Sequence, residues 1–483
     1  MTDGVPDRER TGAGPAGRSG RFAEIEPSSP AAPATAAAAR PLLRHASEET
    51  VDRIADLYRE PEWMRAERHD GLRRALELPI ETNALFTTYV DLRSVRFAEI
   101  EPYLETGDDV QVSEVVPEGA SGLLAIAEDR IVARALIPTA EAAGVVLDTF
   151  SHGLRRRPDL VPIVRSLVES GSTLPADDKF GQLARALSVL GVLVHVPAGV
   201  HLEQPLVIRW AAGAGGRGLI SRTLISLGEG ARASVLEEQV AGQQEASAAQ
   251  SLWFGTSEVV LGAHASLDFA AIQDFPTSTA AFVNRHAALD SDAHLRWALA
   301  SVGGLMQKSR IDNRLVGRGS TVKQAEIAFG NGNQLVDLTS YTRHIGADTT
   351  GDLLSKGVFL DRSRGYFKGL IDIERSARGT DSFLGEFAML LNKNARSVAI
   401  PSLEIDQPDV RRASHSSSVG PIDETQVFYL TSRGLPRDLA RKFIVMGFLE
   451  PVVARIPLPT TEERLRELLD AKWPADAERA AAA

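Results

Sequence analysis

Leu261-Gly262-Ala263-His264-Ala265 is one of five matching turns that decide how this chain folds. Each has an apolar residue, then Gly, Asp or Asn, two variable residues, and a small residue. The others are Leu227-Gly228-Glu229-Gly230-Ala231, Leu289-Asp290-Ser291-Asp292-Ala293, Val316-Gly317-Arg318-Gly319-Ser320 and Leu391-Asn392-Lys393-Asn394-Ala395. Such residues turn a chain because Gly, Asn and Asp tolerate backbone conformations that branched side chains resist. Between the turns lie short runs with strand periodicity: Leu206–Ile208, Leu219–Leu227, Ser251–Val260, Ser266–Ile272, His294–Ala300, Thr321–Ala328, Leu335–Tyr341, Val358–Leu360 and Tyr366–Ile373. Successive turns begin 34, 28 and 27 residues apart, then 75. Unequal spacing suits solenoid coils with loops of different length better than a strict repeat, although a sandwich or barrel stays open. The chain reads as mainly β, with a solenoid core over 191–424.

Helical periodicity flanks this core. Ser47 and Thr50 precede the stripe Val51, Ile54, Leu57, and after Pro61 comes Trp63, Ala66, Leu72, Ala75, Leu76. Further helices are predicted at 139–155, 158–169 and 177–188, making 45–190 an N-terminal helical or mixed domain. Arg155-Arg156-Arg157 reads as a helix C-terminus stopped by Pro158, and Asp177-Asp178 as an acidic first turn. Downstream, Leu435, Leu439, Phe443, Met446 and Leu449 return to helical spacing. Thr460-Thr461-Glu462-Glu463 has capping-box form ahead of Leu465, Leu468 and Leu469. Residues 425–474 are thus a C-terminal helical domain, expected to cover the solenoid end. Residues 1–44 and 475–483 are small-residue tails with too little apolar material to offset the entropy of ordering them.

Composition narrows the function. A net charge of -11 argues against nucleic acid, whose phosphates call for clustered Lys and Arg. No apolar run is long enough to span a bilayer, and no basic head with an apolar core marks a secretory signal. The absence of cysteine rules out disulfides and fits a reducing compartment. A soluble, cytoplasmic protein is expected. Gly213-Ala214-Gly215-Gly216-Arg217-Gly218 has dinucleotide-loop spacing but leads into a strand, so it is a flexible turn. Gly346 and Gly351 have P-loop spacing, yet Asp352 replaces the lysine that binds phosphate. Histidine spacing shows no autonomous zinc motif.

Ala413-Ser414-His415-Ser416-Ser417-Ser418-Val419-Gly420-Pro421-Ile422-Asp423, continuing into Gln426-Val427-Phe428-Tyr429-Leu430-Thr431-Ser432-Arg433-Gly434-Leu435, resembles the C-terminal signature of the SufB/SufD family of iron–sulfur cluster assembly proteins. Arg343 to Asp352, Ser355-Lys356-Gly357-Val358-Phe359 and Gly365-Tyr366-Phe367-Lys368-Gly369 resemble its central block. Ser402-Leu403-Glu404-Ile405-Asp406 resembles the stretch before the histidine. The likeness spans about residues 50–470 and is strongest over 335–450. Ala413 stands where relatives often carry cysteine, and Ser416 where SufB-type chains often carry glutamate.

The resemblance implies a right-handed parallel β-helix core flanked by helical domains, as that family shares. Because soft iron–sulfur species favour thiolate ligands, a chain without cysteine falls on the SufD side. It implies a non-enzymatic subunit pairing with a SufB-like chain and engaging a SufC-like ATPase. His415 would be a metal ligand shared with the SufB partner, with Glu404 and Asp406 as more distant candidates. Arg433, Gly434, Leu435, Leu439, Phe443 and Met446 would form the SufC-facing region. This chain alone would hold no cofactor: an iron–sulfur cluster would be shared transiently, and reduced flavin could join only in the complex. From the residues alone, His415 reads first as a histidine that bonds its serine neighbours and caps the solenoid, and His344 as a packed histidine within a coil. The rival classes are a β-helix enzyme processing carbohydrate or acyl groups, and a homomeric structural solenoid or homodimer without SufB.

Overall fold

The computed structural model describes residues 42–104, 112–169, 174–242 and 249–473. Eight coils of two strands make the core. They are β1 (Leu190–Val196) and β2 (Leu206–Ala212), β3 (Arg217–Leu227) and β4 (Arg232–Ala241), β5 (Ser251–Leu261) and β6 (Ser266–Asp274), β7 (Thr279–Leu289) and β8 (His294–Ser301). They continue as β9 (Met306–Leu315) and β10 (Thr321–Gly330), β11 (Leu335–His344) and β12 (Thr350–Phe359), β13 (Arg364–Ile373) and β14 (Asp381–Leu390), β15 (Arg396–Ile405) and β16 (Arg412–Pro421). The odd strands form one parallel sheet and the even strands the other. Trp210, Trp253, Phe269 and Trp297 fill the space between the sheets, the last two with ring centroids 4.9 Å apart.

Four of the five predicted turns form one corner of this solenoid, and register explains their chemistry. Leu227, Leu261, Leu289, Leu315, His344 and Ile373 stack in register at the strand ends. Gly230, His264, Asp292, Gly319, Asp348 and Gly379 all adopt positive φ, between 53° and 73°. Each donates its N–H to a carbonyl of the next coil, so the left-handed kink passes from coil to coil. The small residue that follows (Ala231, Ala265, Ala293, Ser320, Thr349, Thr380) is wholly buried at every coil. Gly317 cannot be anything larger, since an added Cβ would lie 1.9 Å from the Ser291 nitrogen. The Leu391 turn belongs to the opposite corner, between β14 and β15. The 75-residue gap therefore conceals two first-corner turns, at 345–349 and 374–380.

Helices clothe both sheets. α1 (Glu48–Tyr58), α2 (Glu62–Glu77) and α3 (Lys179–Leu187) belong to the N-terminal layer, where α3 lies on the outer face of β3, β5 and β7. Phe180 of α3 stacks on Phe254 and Phe282 there. The helix expected over 139–155 is instead two short helices, Pro138–Ala142 and Phe150–Arg156, separated by the strand Val146–Thr149, which pairs antiparallel with β1. That strand and the pair Gly122–Ala127 and Arg130–Leu136 close the N-terminal end of the solenoid.

Contrary to the sequence expectation, α4 (Glu424–Ser432), α5 (Arg437–Val453) and α6 (Pro459–Ala471) do not cover the other end. They double back along the even sheet, where α5 crosses β8, β10 and β12. Thr461 and Arg464 of α6 reach Glu238 and Asp274 at 2.8 and 3.0 Å. The capping box at Thr460 is not formed: Pro459 is the first residue of α6 and no side chain caps it. Most of both expected tails lies outside the described residues, but Leu43 is wholly buried in the core, so order begins before residue 45. Among the described residues no helix is long and apolar enough to cross a membrane.

Candidate functional site

The uncovered end of the solenoid consists of β15 and β16, the last strand of each sheet. β16 follows the chain reversal at Gln407 to Asp409 and pairs along its full length with β14. Register fixes where its side chains point. Leu384, Glu386 and Ala388 of β14 face the interior, and they pair with His415, Ser417 and Val419 of β16. His415 therefore lies on the inner face of the last coil, yet it is exposed because among the described residues no further coil stacks upon it. Beneath Ser417, Glu386 is 1% exposed, and burial pushes its carboxyl up to about 8 against the pull of a backbone hydrogen bond from Ile400.

Glu404 and Asp406 are not gathered around His415. Glu404 pairs with Asp372 on the outer face of β15, in the opposite sheet, and Asp406 lies beyond that strand's end. Glu404 instead lines a groove of about 900 Å³ with Asp177, Arg310, Arg343 and Asp372. Among the described residues no group of three His, Asp or Glu side chains could by itself hold a metal. His415 belongs to no such group.

The C-terminal helices place a second set of residues. Leu439 and Phe443 project to solvent from α5, 40% and 55% exposed, and Arg433 and Gly434 are exposed between α4 and α5. Leu435 and Met446 turn partly inward and pack against the helical core. Sequence reasoning passed over Phe428 and Tyr429, which are 71% and 57% exposed. They extend the apolar surface onto α4, with the Arg433 guanidinium 5.2 Å from the Tyr429 ring. An aromatic pair in a helix reads as core material, so only the packing reveals that it faces out.

A third group was read only in part. Asp178 caps α3 by accepting from the Phe180 N–H, as an acidic first turn should. It also faces His286 of β7 at 3.2 Å, and Asp312 of β9 accepts from the other ring nitrogen at 3.0 Å. Arg310 closes the cluster on Asp312 at 2.8 Å. Burial alone would lower the His286 pKa, but the two carboxylates outweigh it and raise it to about 9. His344 is the opposite case: buried among the Thr349 and Ser382 hydroxyls, it is held at about 4 and stays neutral. It is a packed histidine of the coil.

A family model described as "SUF system FeS cluster assembly, SufBD core domain" matches residues 209–448, the stretch that contains β16 and most of the exposed helical patch. The chain belongs to the SufBD family. It is 26% identical over 434 residues to the iron-sulfur cluster assembly protein SufD of Bacillus subtilis, covering 88% of this chain and 97% of the relative. It is 24% identical over 441 residues to an iron-sulfur cluster assembly SufBD family protein of Staphylococcus saprophyticus, covering 88% and 92%. A SufBD family protein of Staphylococcus haemolyticus is 25% identical over 442 residues, with the same coverage. SufBD membership, a two-sheet solenoid and terminal helices agree with one another.

Proposed function

We propose that this SufBD chain is a SufD-type, non-catalytic subunit of a cytoplasmic iron–sulfur assembly scaffold. It pairs through its open solenoid end with a SufB-like chain and presents α4 and α5 to a SufC-like ATPase. The observation that carries this reading is the uncovered last coil with His415 on its inner face. An imidazole there meets whatever chain seals the end, and a partner thiolate supplies the soft ligand that a cysteine-free chain lacks. The iron–sulfur cluster is cargo shared across that join. Neither it nor reduced flavin is held by this chain alone. The patch of Phe428, Tyr429, Leu439 and Phe443, with Arg433 beside it, has the aromatic-and-arginine character of a binding hot spot. ATP-driven movement of the SufC-like subunit would reach the join through α5 and the even sheet on which it lies.

Anaerobic co-expression with SufB-like and SufC-like chains tests this, comparing native protein with His415→Ala. The expected result is an intact complex that has lost most of its bound iron and sulfide. Full cluster loading in the variant would leave His415 a structural residue, and failure of the native chain to form a complex would sink the assignment.

A further inference from the structure

Arg68, Arg185 and Arg222 line one cavity between the N-terminal layer and the odd sheet, and they are not satisfied alike. Arg68 of α2 spends its fork on Glu60 and the Ala186 carbonyl, at 2.7 to 3.0 Å. Arg185, in α3, divides its donors among Glu67, Asp70 and Gln182. Arg222, on the outer face of β3, is 8% exposed and donates Nε to Glu258. Among the described residues its Nη1 and Nη2 groups meet no protein acceptor. A guanidinium has five N–H donors, and leaving four of them unmatched inside a protein is costly.

The cavity has a volume of about 710 Å³, within the range of small-molecule sites. Its walls are apolar: Leu57 of α1, Trp63 and Met64 of α2, Phe150 and Leu154 of the helix Phe150–Arg156, and Val164 of the helix Val161–Glu169. Leu224, two residues beyond Arg222 on the same face of β3, is buried in one cluster with Phe150 and Val164. Arg59 and Arg155 also line the cavity and are exposed. Lining arginines outnumber lining carboxylates five to two, and still five to four when Asp70 and Glu258 are counted behind them. That excess favours an anion, and the unspent fork of Arg222 matches the two oxygens of a carboxylate. Arg222 also lines the groove that holds Arg343 and Glu404, but Trp63, Phe150 and Leu154 belong to this cavity and not to the groove.

We propose that this cavity binds an apolar carboxylic acid as its carboxylate, with the two oxygens on the Arg222 Nη groups and the hydrocarbon body between Trp63, Phe150 and Leu154. The ligand ties α1 and α2 to β3. The site stands apart from the open end and from the α4–α5 patch, so it holds or falls independently of the pairing proposed above.

Calorimetric titration of the full-length chain with octanoate and with octan-1-ol tests it. We expect octanoate to bind about tenfold more tightly than the alcohol. Arg222→Lys keeps a cation beside Glu258 but loses the fork. It should weaken octanoate about tenfold and leave octan-1-ol as in native protein. Leu154→Trp fills the apolar space and should weaken both by about tenfold or more, while Arg343→Gln, in the neighbouring groove, should change neither. Native protein that binds no octanoate, or binds the alcohol equally well, would overturn the proposal. Octanoate binding that survives Arg222→Lys or Leu154→Trp, or that falls with Arg343→Gln, would overturn it too. If Arg222→Lys fails to fold, the other two variants and the comparison with the alcohol decide.

Discussion

Two buried histidines show how the same side chain takes opposite roles. His344 occupies the column otherwise filled by Leu227, Leu261, Leu289, Leu315 and Ile373, and burial holds it at about 4. Its folded pKa lies below the unfolded value of about 6.5, so the unfolded chain gains protons first and stability falls as pH drops from about 6.5 through 4. Thr349 and Ser382 have other partners, in Gly346 and Gly351 carbonyls, so losing the ring leaves neither hydroxyl stranded. His344→Leu is therefore expected to change stability by no more than about 1 kcal/mol at pH 7.5 and to melt above native protein at pH 5. Thermal denaturation at the two pH values checks this, and a variant as acid-sensitive as native protein would refute it.

At the scale of elements, the His286 cluster fastens α3 to β7 and β9. With the folded pKa of His286 raised to about 9, its contribution is complete below about pH 6.5 and is lost as pH rises through 9. His286→Gln leaves Asp178 and Asp312 facing each other without a cation between them. It should cost about 3–5 kcal/mol at pH 6.5, and less at pH 9. Denaturant titration of both proteins at the two pH values measures the difference, and an equal cost at both would deny the ring its charge. The cluster also shows where sequence reading stopped. The corner turns were legible because positive φ and tight stacking restrict residue type at those points. The strands β4, β7, β9 and β14 were not, because both faces of each sheet are covered. Glu237 pairs with Arg285 inside the solenoid at 2.6 Å, and His286 meets Asp312 under the helices. Charges on both covered faces erase the alternation that identifies a half-exposed strand. His415 stood out by family resemblance, but only the register shows that it faces inward on an uncovered coil.

The whole molecule is polarised. Its N-terminal end is sealed by antiparallel strands and its sheets by helices, whereas among the described residues β15 and β16 end the stack with nothing beyond them. In a solenoid each coil is stabilised mainly by its neighbours, so a terminal coil with one neighbour opens more readily than an inner coil with two. The interior adds to the difference: β5 to β8 enclose Trp253, Phe269 and Trp297, while β16 is mostly exposed and has Ala413, His415, Ser417 and Val419 on its inner face. Amide exchange of the isolated chain should therefore be graded, with β16 exchanging on the order of 100-fold faster than β7 to β10. Hydrogen–deuterium exchange by mass spectrometry resolves these segments directly. Uniform protection from β5 to β16 would mean that the solenoid opens as one cooperative unit, and the open end would need no partner for its order. A steep gradient that disappears in the complex would make the partner chain the missing cap, coupling folding of the last coil to partner binding.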